Sequence, residues 1–386
     1  DSIVYACGNT FHRSTDNGAH FVQQTNNGLP PGSQVGRMAI AVTQADPLSV
    51  YVLCSREDDS GFLGLYRSSD GGLSFTLQSG TPNIFGYESD GSDTGGQSWY
   101  DMALAVDPED ANTVYVGGVN VWKSADGGLN WTIESHWTYP SMIGYTHADI
   151  HALEIFNGTL YCGSDGGIHA SDNGAEDWTD LSAGLDITQF YRFGGSEMLP
   201  YKIMAGAQDN GTNRLLNGNW THVYGADGME AAIDPWDPNI VYGSSQNGGI
   251  LLSYNNGSSW SNIGNNISEE GPWVTPFLID GASTSHLLAG FHNVWATWDR
   301  GDSWSMMTGW NEDEFVRCIA MAPSNSDVIY AARQDLMQRS DDGGFTWADI
   351  SGGLPNVTPT SFAVDPADPM HVFVSFSGYS AGNKLF

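Results

Sequence analysis

A short turn motif, S/T-x-D-x-G-x-x-W/F, recurs along the chain and constrains its fold more strongly than any other feature of the sequence. The complete copies begin at Ser14, Ser68, Ser124, Thr297 and Ser340. Two further stretches depart from the motif. The stretch from Ser253 to Trp260 has Asn255 in place of the aspartate, and SDNGAEDW (171–178) keeps Asp172, Gly174 and Trp178 with one extra residue before the tryptophan.

The spacing of the copies predicts the size of the repeating unit. Counted from Asp16, the key positions fall at residues 70, 126, 172, 255, 299 and 342, so the steps are 54, 56, 46, 83, 44 and 43 residues. Steps in the forties are typical of a unit of four short strands. The 83-residue step covers about two units, and we expect one unit to have lost its motif between Asn213 and Trp220.

Each position of the motif has a structural task. The aspartate side chain can accept hydrogen bonds from backbone N–H groups of its own turn. The glycine supplies a positive φ, which other residues resist. The closing tryptophan or phenylalanine is large enough to pack between neighbouring units. We therefore interpret these aspartates as structural and not as catalytic.

Two strand patterns precede the motif in most units. The first is an alternating apolar run that ends in Asp-Pro, as in MALAVDP (102–108), MEAAIDP (229–235) and SFAVDP (361–366). The second is a continuous apolar run, as in VYVGG (114–118), LYCGS (160–164), IVYGS (240–244) and VIYAA (328–332). Both patterns indicate strands, and helical periodicity is nearly absent.

The repeats predict an all-β fold, a single β-propeller of seven or eight four-stranded blades that spans residues 1–386. Partial repeats at residues 1–34 and 356–386 begin and end in the middle of a unit. From these partial repeats we expect the chain to be a piece of a longer polypeptide.

The charge balance excludes one class of partner. The chain has 45 acidic residues against 13 lysines and arginines, a formal net charge of −32. Such a surface repels phosphate backbones, so nucleic acid is not an expected partner. The charge fits a salty extracellular medium, calcium binding or neutral glycans, and it also fits solubility alone. No run of about 18 apolar residues is present, so no membrane span is predicted.

Several phrases give the chain a resemblance to a known group. They are HADIHAL (147–153), SDGGIHASDNG (164–174), QFYR (189–192), AGAQDNGTNRL (205–215) and GADGME (225–230). With the repeated turn, the chain resembles the Asp-box (BNR) repeat β-propellers. It is most similar to the secreted bacterial proteins labelled "glycosyl hydrolase, BNR repeat", and more distantly to family-74 xyloglucanases and the sortilin propeller. This resemblance implies a secreted or cell-surface protein that acts on carbohydrate.

The resemblance also implies where a site would lie. In such propellers the loop that enters each blade and the loop between its second and third strands lie on one face. Four carboxylates in these loops are the candidate catalytic residues: Asp101, Asp149, Asp227 and Glu230. Their neighbours are candidate ligand-binding residues: Trp99, Tyr100, Tyr145, His151, Gln208, Asp209, Asn210, Tyr224, Gln246 and Asn247. The same loops carry Tyr139 and Glu312.

Aromatic rings beside carboxylates and amides are typical of a glycan site, because rings stack on sugars and paired carboxylates can act as acid and base or nucleophile. Three interpretations remain open: ordinary solvated loops, glycan binding without chemistry, and hydrolysis. Sialidases need an arginine triad and an Arg-Ile/Leu-Pro tripeptide. No such tripeptide occurs, so a sialidase is disfavoured.

Two clusters could bind a metal, although no cofactor is required. On a regular strand, His147, Asp149 and His151 would share one face and converge on an ion, or they would form a hydrogen-bonded network at the blade entrance. The acidic insertion ESDGSDTGG supplies Glu88, Asp90 and Asp93, hard oxygen ligands suited to Ca²⁺. A flexible, solvated loop is the alternative for this insertion.

The sequence therefore supports two functions of different classes. The first is an extracellular carbohydrate-active or glycan-binding propeller, whose partner is a polysaccharide or glycan. A glycoside hydrolase-like module with paired carboxylates is one form of this function. The alternative is a propeller for protein–protein interaction or adhesion, without catalysis, whose partner is another extracellular protein.

Overall fold

The computed structural model describes residues 3–138, 143–311, 313–379, 381–382 and 384–386. The described residues form 33 strands in nine small antiparallel sheets. Helical structure in them is limited to three short 3-10 turns, Gly32–Gln34, Gln246–Gly248 and Gly264–Asn266. No helix among these residues is long and apolar enough to span a membrane. The all-β prediction is confirmed.

The chain divides into two compact units, Asp1–Ile187 and Thr188–Phe386. The first unit contains one three-stranded sheet, β1–β3, and three four-stranded sheets, β4–β7, β8–β11 and β12–β15. Their strands are β1 Val4–Cys7, β2 Phe11–Ser14, β3 Val22–Gln23, β4 Val35–Val42, β5 Val50–Arg56, β6 Phe62–Ser68, β7 Thr76–Ser79, β8 Ala103–Val106, β9 Val114–Gly117, β10 Val121–Ser124, β11 Thr132–Ser135, β12 Ile150–Phe156, β13 Thr159–Ser164, β14 Gly167–Ser171 and β15 Thr179–Asp180.

The second unit contains four four-stranded sheets, β16–β19, β20–β23, β24–β27 and β28–β31, and the two-stranded sheet β32–β33. Their strands are β16 Arg192–Gly195, β17 Lys202–Ala207, β18 Gly211–Leu216, β19 Asn219–Tyr224, β20 Ala231–Ile233, β21 Val241–Ser245, β22 Gly249–Ser253, β23 Ser261–Asn262, β24 Phe277–Ile279, β25 Leu287–Gly290, β26 Val294–Thr297, β27 Ser305–Met306, β28 Cys318–Ala322, β29 Asn325–Ala332, β30 Met337–Ser340, β31 Ala348–Asp349, β32 Pro359–Val364 and β33 Val372–Phe376.

Every sheet is a meander in which strands pair in chain order. The first and second strands pair without a register shift in sheets such as β8–β11, with Leu104 opposite Val116, and β24–β27, with Leu278 opposite Leu288. Second strands such as β9 and β25 are buried throughout, whereas the two-residue fourth strands such as β15 and β27 are exposed. A strand covered on both faces needs a continuous apolar run, which explains the VYVGG-type pattern.

Within each unit, the hydrophobic core lies between consecutive sheets. In the first unit, Leu65 of β6 packs in one cluster with Val116 of β9. In the second unit, Tyr242 of β21 shares a cluster with Phe277 of β24, their ring centroids 6.3 Å apart. Within a unit, consecutive sheets therefore bury faces against each other, which is how repeats of this size gain stability.

The repeated motif forms the turn between the third and fourth strands of a sheet, and we call it the box turn. In the turn from Ser124 to Trp131, the carboxylate of Asp126 accepts hydrogen bonds from the backbone N–H groups of Leu129 and Asn130, at 3.0 and 2.9 Å. Ser124 Oγ accepts the N–H of Gly128 at 2.8 Å. The Trp131 indole donates to Ser79 Oγ, in the preceding sheet, at 2.8 Å. The box turn thus closes its own hairpin and ties it to the sheet before.

The structure corrects the interpretation of the fourth box turn. There, Asn173 Oδ1 accepts the N–H of Asp177 at 3.0 Å and the hydroxyl of Ser171 at 2.9 Å. The glycine position is taken by Ala175, whose N–H bonds Ser171 Oγ and whose φ is 77°. The motif is therefore in register without an extra residue, and Asp172 does not hold the aspartate position. The sequence pattern was misaligned because both key residues are substituted.

The sheet β16–β19 has no box turn, in agreement with the doubled spacing. A tight turn at Asn217 and Gly218 joins β18 to β19, with φ values of 53° and 81°. Two central residues with positive φ are typical of the two-residue hairpin for which Asn-Gly is preferred. This pair substitutes a minimal hairpin for the longer box turn.

Candidate functional site

Carboxyl groups gather in the first unit where β8 and β12 begin. Asp101 lies just before β8, and Asp149 directly precedes β12. The amide nitrogen of Gln97 donates to Asp101 Oδ2 at 3.0 Å and also to Asp149 Oδ1. Because one nitrogen contacts both, their bonded oxygens are separated by no more than about 6 Å, twice a hydrogen-bond length.

A third carboxyl group, Asp165, joins them from the turn between β13 and β14. Its oxygens accept the hydroxyl of Tyr100 at 2.6 Å and Nε2 of His151 at 2.8 Å. The rings of these two donors meet edge to face, with centroids 4.8 Å apart. An oxygen of Asp149 and an oxygen of Asp165 lie within 4.8 Å of each other. We call Asp101, Asp149 and Asp165 the acidic cluster.

Asp101 and Asp149 differ in how deeply their side chains are buried. Asp101 is 1% exposed, and its Oδ1 has no hydrogen-bond partner among the described residues. Burial, opposed by the Gln97 amide and reinforced by the charge of Asp149, raises the pKa of Asp101 to about 7. Asp149 is half-buried, and both its burial and the charge of Asp165 raise its pKa. Asp101 therefore retains its proton well above the pH at which a free aspartate is ionised.

The backbone at Asp149 is left-handed, with φ of 64°. This breaks the alternation that would place His147, Asp149 and His151 on one strand face, and β12 begins only at Ile150. The three side chains accordingly do not form a metal-binding group among the described residues. His151 bonds Asp165 instead, which supports the network interpretation over the metal interpretation.

Aromatic rings lie beside the acidic cluster. Trp99 is 72% exposed, and its ring contacts that of Tyr100 at a centroid distance of 5.6 Å. Arg37, from β4, fixes this loop by donating to the carbonyl oxygens of Ser98 and Tyr100 at 3.2 and 3.1 Å. The result is a ring surface that the protein holds open to solvent next to the carboxyl groups.

In the second unit, residues at or near the first strands of five consecutive sheets line a cleft of about 560 Å³. Glu230, just before β20, lies in it with its side chain 20% exposed and its Oε2 3.7 Å from Arg192 Nε. Burial raises the pKa of Glu230 to about 7, against the charge of Arg192. The half-exposed ring of Trp273 lines the same cleft.

The predicted residues around Asp227 contact one another. Asp227 Oδ1 accepts the backbone N–H of Asp209 at 2.9 Å, and Asn210 donates its side-chain amide to the Gln208 carbonyl at 3.1 Å. The Gln208 side chain accepts the hydroxyl of Tyr191. Asp227 thus supports the tight turn between β17 and β18, in which Asp209 has φ of 59°.

The remaining predicted residues lie elsewhere in their units. Tyr145 contacts the ring of His169, and Tyr224 contacts the ring of Trp260, at centroid distances of 6.0 Å. Gln246 and Asn247 form the 3-10 turn between β21 and β22 and are not among the described residues that line the cleft. Tyr139 and Glu312 lie outside the described residues.

The acidic insertion is held by its own carboxylates. Asp93 Oδ2 accepts the N–H of Tyr87 at 2.7 Å, and Asp90 Oδ1 accepts the N–H of Ser92 at 3.0 Å. Glu88 is exposed. In the described part of the chain, these three carboxylates do not form a group with oxygens within 4.8 Å of one another.

Comparisons with known proteins give only loose likenesses. No family model and no curated protein match the chain. Among solved structures it is similar to the GH74 enzyme of Niastella koreensis, at 16% identity over 96% of this chain and 66% of that one, with a TM-score of 0.35. It is also similar to YCF48 of Cyanidioschyzon merolae, at 14% identity over 92% and 95% with a TM-score of 0.31. The WD40 β-propeller domain of Doa1 matches at 12% identity over 74% and 91%, with a TM-score of 0.40. The chain spans about two thirds of the Niastella enzyme. TM-scores of this size do not establish a common fold.

Three residues at these sites were missed by the sequence interpretation. Gln97 joins two carboxyl groups, and Arg192 and Arg317 line the cleft of the second unit. A glutamine in a polar loop carries no distinctive signal. The arginines could have been found, since each lies at or just before a first strand, the position used to select Asp101 and Glu230.

Proposed function

We propose that this protein binds a polysaccharide outside the cell and hydrolyses its glycosidic bonds at the carboxyl pair Asp149 and Asp165. The observation that carries this proposal is the contrast between the two groups. Asp165 accepts hydrogen bonds from Tyr100 and His151 on its two oxygens, whereas burial and the Asp165 charge raise the pKa of Asp149. A carboxylic acid beside a carboxylate is what glycoside hydrolysis requires.

The spacing of the pair favours one stereochemical course. Their nearest oxygens lie within 4.8 Å. Retaining glycosidases hold their carboxyl groups about 5–5.5 Å apart, and inverting ones about 6.5–9.5 Å apart, to admit a water. The short separation supports a covalent intermediate and retention of configuration at the anomeric carbon.

In the proposed reaction, the Asp149 carboxyl group donates its proton to the glycosidic oxygen while the Asp165 carboxylate attacks the anomeric carbon. The bond from that carbon to the leaving oxygen breaks, and a glycosyl ester forms on Asp165. A water molecule then attacks the anomeric carbon, Asp149 accepts the water proton, and the ester bond breaks to release the Asp165 carboxylate. Both carboxyl groups return to their starting states.

Asp101 has a different role in this proposal, because a side chain that is 1% exposed does not reach a bound sugar. It orients Gln97, whose amide contacts Asp149, and is therefore a positioning residue. The exposed ring of Trp99 beside Tyr100 is suited to stacking on a sugar face. In the same proposal, the successive sheets are blades of a β-propeller of seven or eight blades, and the protein is secreted or displayed at the cell surface.

The test is hydrolysis of a panel of neutral and acidic polysaccharides, followed by release of reducing ends and by NMR of the anomeric product. We expect turnover of at least one substrate, and a loss of roughly a hundredfold or more in kcat/KM for Asp149→Asn and for Asp165→Asn. Asparagine is isosteric and tolerates the left-handed backbone of Asp149, so both variants should fold.

A matched control is Asp172→Asn, which changes an exposed aspartate in the turn after β14 whose side chain accepts a hydrogen bond from the Thr159 hydroxyl. It should leave turnover unchanged. Glycan binding without product in the parent protein would refute hydrolysis and leave a binding module. Binding of an extracellular protein, with no glycan bound, would favour the interaction alternative.

Calcium at the acidic insertion is a further part of the proposal. An ion shared by Glu88, Asp90 and Asp93 would have to compete with the backbone N–H of Tyr87 for Asp93. Hard oxygen ligands and the net charge of −32 favour such an ion. A calcium titration of Asp93→Asn against the parent protein tests it.

A further inference from the structure

The cleft of the second unit contains positive charge that is rare in this chain. Of only 13 lysines and arginines, two, Arg192 and Arg317, line it. Arg192 opens β16, and Arg317 directly precedes β28. A protein with a net charge of −32 has little basic surface, so two guanidinium groups in one cleft point to a local requirement for positive charge.

Neither guanidinium group is saturated by a carboxylate among the described residues. Arg192 Nε is 3.7 Å from Glu230, and Arg317 Nη2 is 3.5 Å from Glu314, both at the long end of ion pairing. Arg339 differs, because its Nε and Nη2 donate to Asp341 at 2.8 and 2.9 Å. The side chains of Arg192 and Arg317 are 50% and 38% exposed. Arg192 Nη1 donates to the Tyr191 carbonyl oxygen at 3.0 Å, and the other guanidinium nitrogens of the two arginines remain open to an incoming anion.

The other groups lining the cleft suit a sugar. Trp273 presents a ring that is 44% exposed, and its indole N–H is directed to the Tyr191 hydroxyl at 3.3 Å. Exposed Thr360 and Ser361, on β32, supply hydroxyl groups on the same cleft wall. The cleft volume of about 560 Å³ is in the range typical of small-ligand sites.

We propose that this cleft binds a hexuronic acid residue of an acidic polysaccharide. The guanidinium groups of Arg192 and Arg317 bind the sugar carboxylate, since the planar N–H donors of arginine match the two oxygens of a carboxylate. The ring of Trp273 packs against the sugar, and the hydroxyls of Thr360 and Ser361 bond its hydroxyl groups. This site lies in the second unit and does not depend on hydrolysis at Asp149 and Asp165.

The experiment is calorimetric titration of the whole chain with a glucuronic acid oligosaccharide and with the carboxyl-reduced form of the same oligosaccharide, at a fixed salt concentration of about 150 mM, the physiological ionic strength. We expect the uronate to bind, and we expect the affinity for the reduced form to be lower by roughly tenfold or more. Arg317→Gln and Arg192→Gln should each lower uronate affinity by roughly tenfold or more. Arg339→Gln, which removes an arginine paired in a box turn, should change it less than about twofold.

Equal affinity for the two oligosaccharides would overturn the proposal, as would an equal loss in Arg339→Gln. Binding only of a sulfated oligosaccharide, or only of a peptide with a free C-terminal carboxylate, would also overturn it. The parallel titration of Asp149→Asn separates the two proposals. It should bind the uronate normally even where it has lost hydrolysis, and uronate binding should persist if the parent protein proves to have no hydrolytic activity.

Discussion

The box turn needs an oxygen acceptor at its third position, and this requirement can be tested by substitution. Asp126 accepts four hydrogen bonds, two from backbone N–H groups, one from the Asn130 side chain and one from the hydroxyl of Ser124. At about 0.5–1.5 kcal/mol each, partly replaced by water at an exposed turn, their loss in Asp126→Ala should cost about 2 kcal/mol of unfolding free energy.

Asparagine should preserve most of that stability. In the natural copy from Ser253 to Trp260, Asn255 Oδ1 accepts the N–H of Ser259 at 2.8 Å and the hydroxyl of Ser253 at 2.9 Å. Its amide nitrogen donates to Ser259 Oγ at 2.8 Å. Asp126→Asn should therefore cost no more than about 0.5 kcal/mol, because the acceptor geometry survives without the charge.

The fourth box turn supplies a matched pair of variants. Asn173→Ala should cost about 2 kcal/mol, since it removes the acceptor for Asp177 N–H, whereas Asp172→Ala loses only a bond to Thr159 and should cost about 0.5 kcal/mol. The assay is urea unfolding at neutral pH, followed by tryptophan fluorescence and circular dichroism. If Asp126→Asn loses as much as Asp126→Ala, charge and not acceptor geometry stabilises the turn. If Asp172→Ala costs more than Asn173→Ala, then Asp172 and not Asn173 holds the acceptor position of this turn.

Two further predictions concern stability. In the same unfolding assay, Gly128→Ala should cost about 3 kcal/mol and Gly344→Ala about 1–2 kcal/mol of unfolding free energy. The two φ values are nearly equal, 91° and 94°. The added Cβ would lie 2.2 Å from buried Leu65 at Gly128, but 3.1 Å from the flexible end of Met307 at Gly344. Equal costs would show that backbone strain alone decides. Stability should also be highest near pH 4–5, about where free carboxyl groups titrate. Box aspartates with pKa values lowered to about 2, such as Asp126, lose their contribution to stability as the pH falls from about 4 to about 2. Asp101 and Glu230, with pKa values raised to about 7, lose their contribution to stability as the pH rises from about 4 to about 7. Asp101→Asn should flatten the decline between about pH 4 and 7, and an unchanged slope would assign that decline to general charge repulsion.

Local patterns predicted the strands well. The run VYVGG (114–118) became β9, Val114–Gly117, and MEAAIDP (229–235) contains β20, Ala231–Ile233. These predictions succeed because the burial of a strand and the chemistry of a turn are encoded within a few residues. The fourth box turn was recognised but misaligned, because Asn173 and Ala175 reproduce its geometry with other side chains. Ala175 has a left-handed backbone in a fully buried position, a combination that no local preference predicts.

The candidate site was predictable only in part, because its chemistry depends on contacts between distant segments. Asp101 and Asp149 were selected by their position before a first strand, and the structure places both against Gln97. Position alone did not show that Asp101 is 1% exposed, the reason why the proposed reaction gives it a supporting role. Position alone also did not show that the hairpin β12–β13 brings Asp165, 16 residues after Asp149, to within 4.8 Å of an Asp149 oxygen.

The left-handed backbone at Asp149 connects fold and chemistry in the first unit. A regular strand entry there would point the side chains of His147, Asp149 and His151 to one face, and the backbone at φ of 64° instead separates them. His151 is then able to bond Asp165, while Asp149 meets Gln97. One unusual dihedral angle therefore gives two neighbouring carboxyl groups different hydrogen-bond partners. In the proposed reaction, these different surroundings are the physical basis for assigning Asp149 as the acid and Asp165 as the nucleophile.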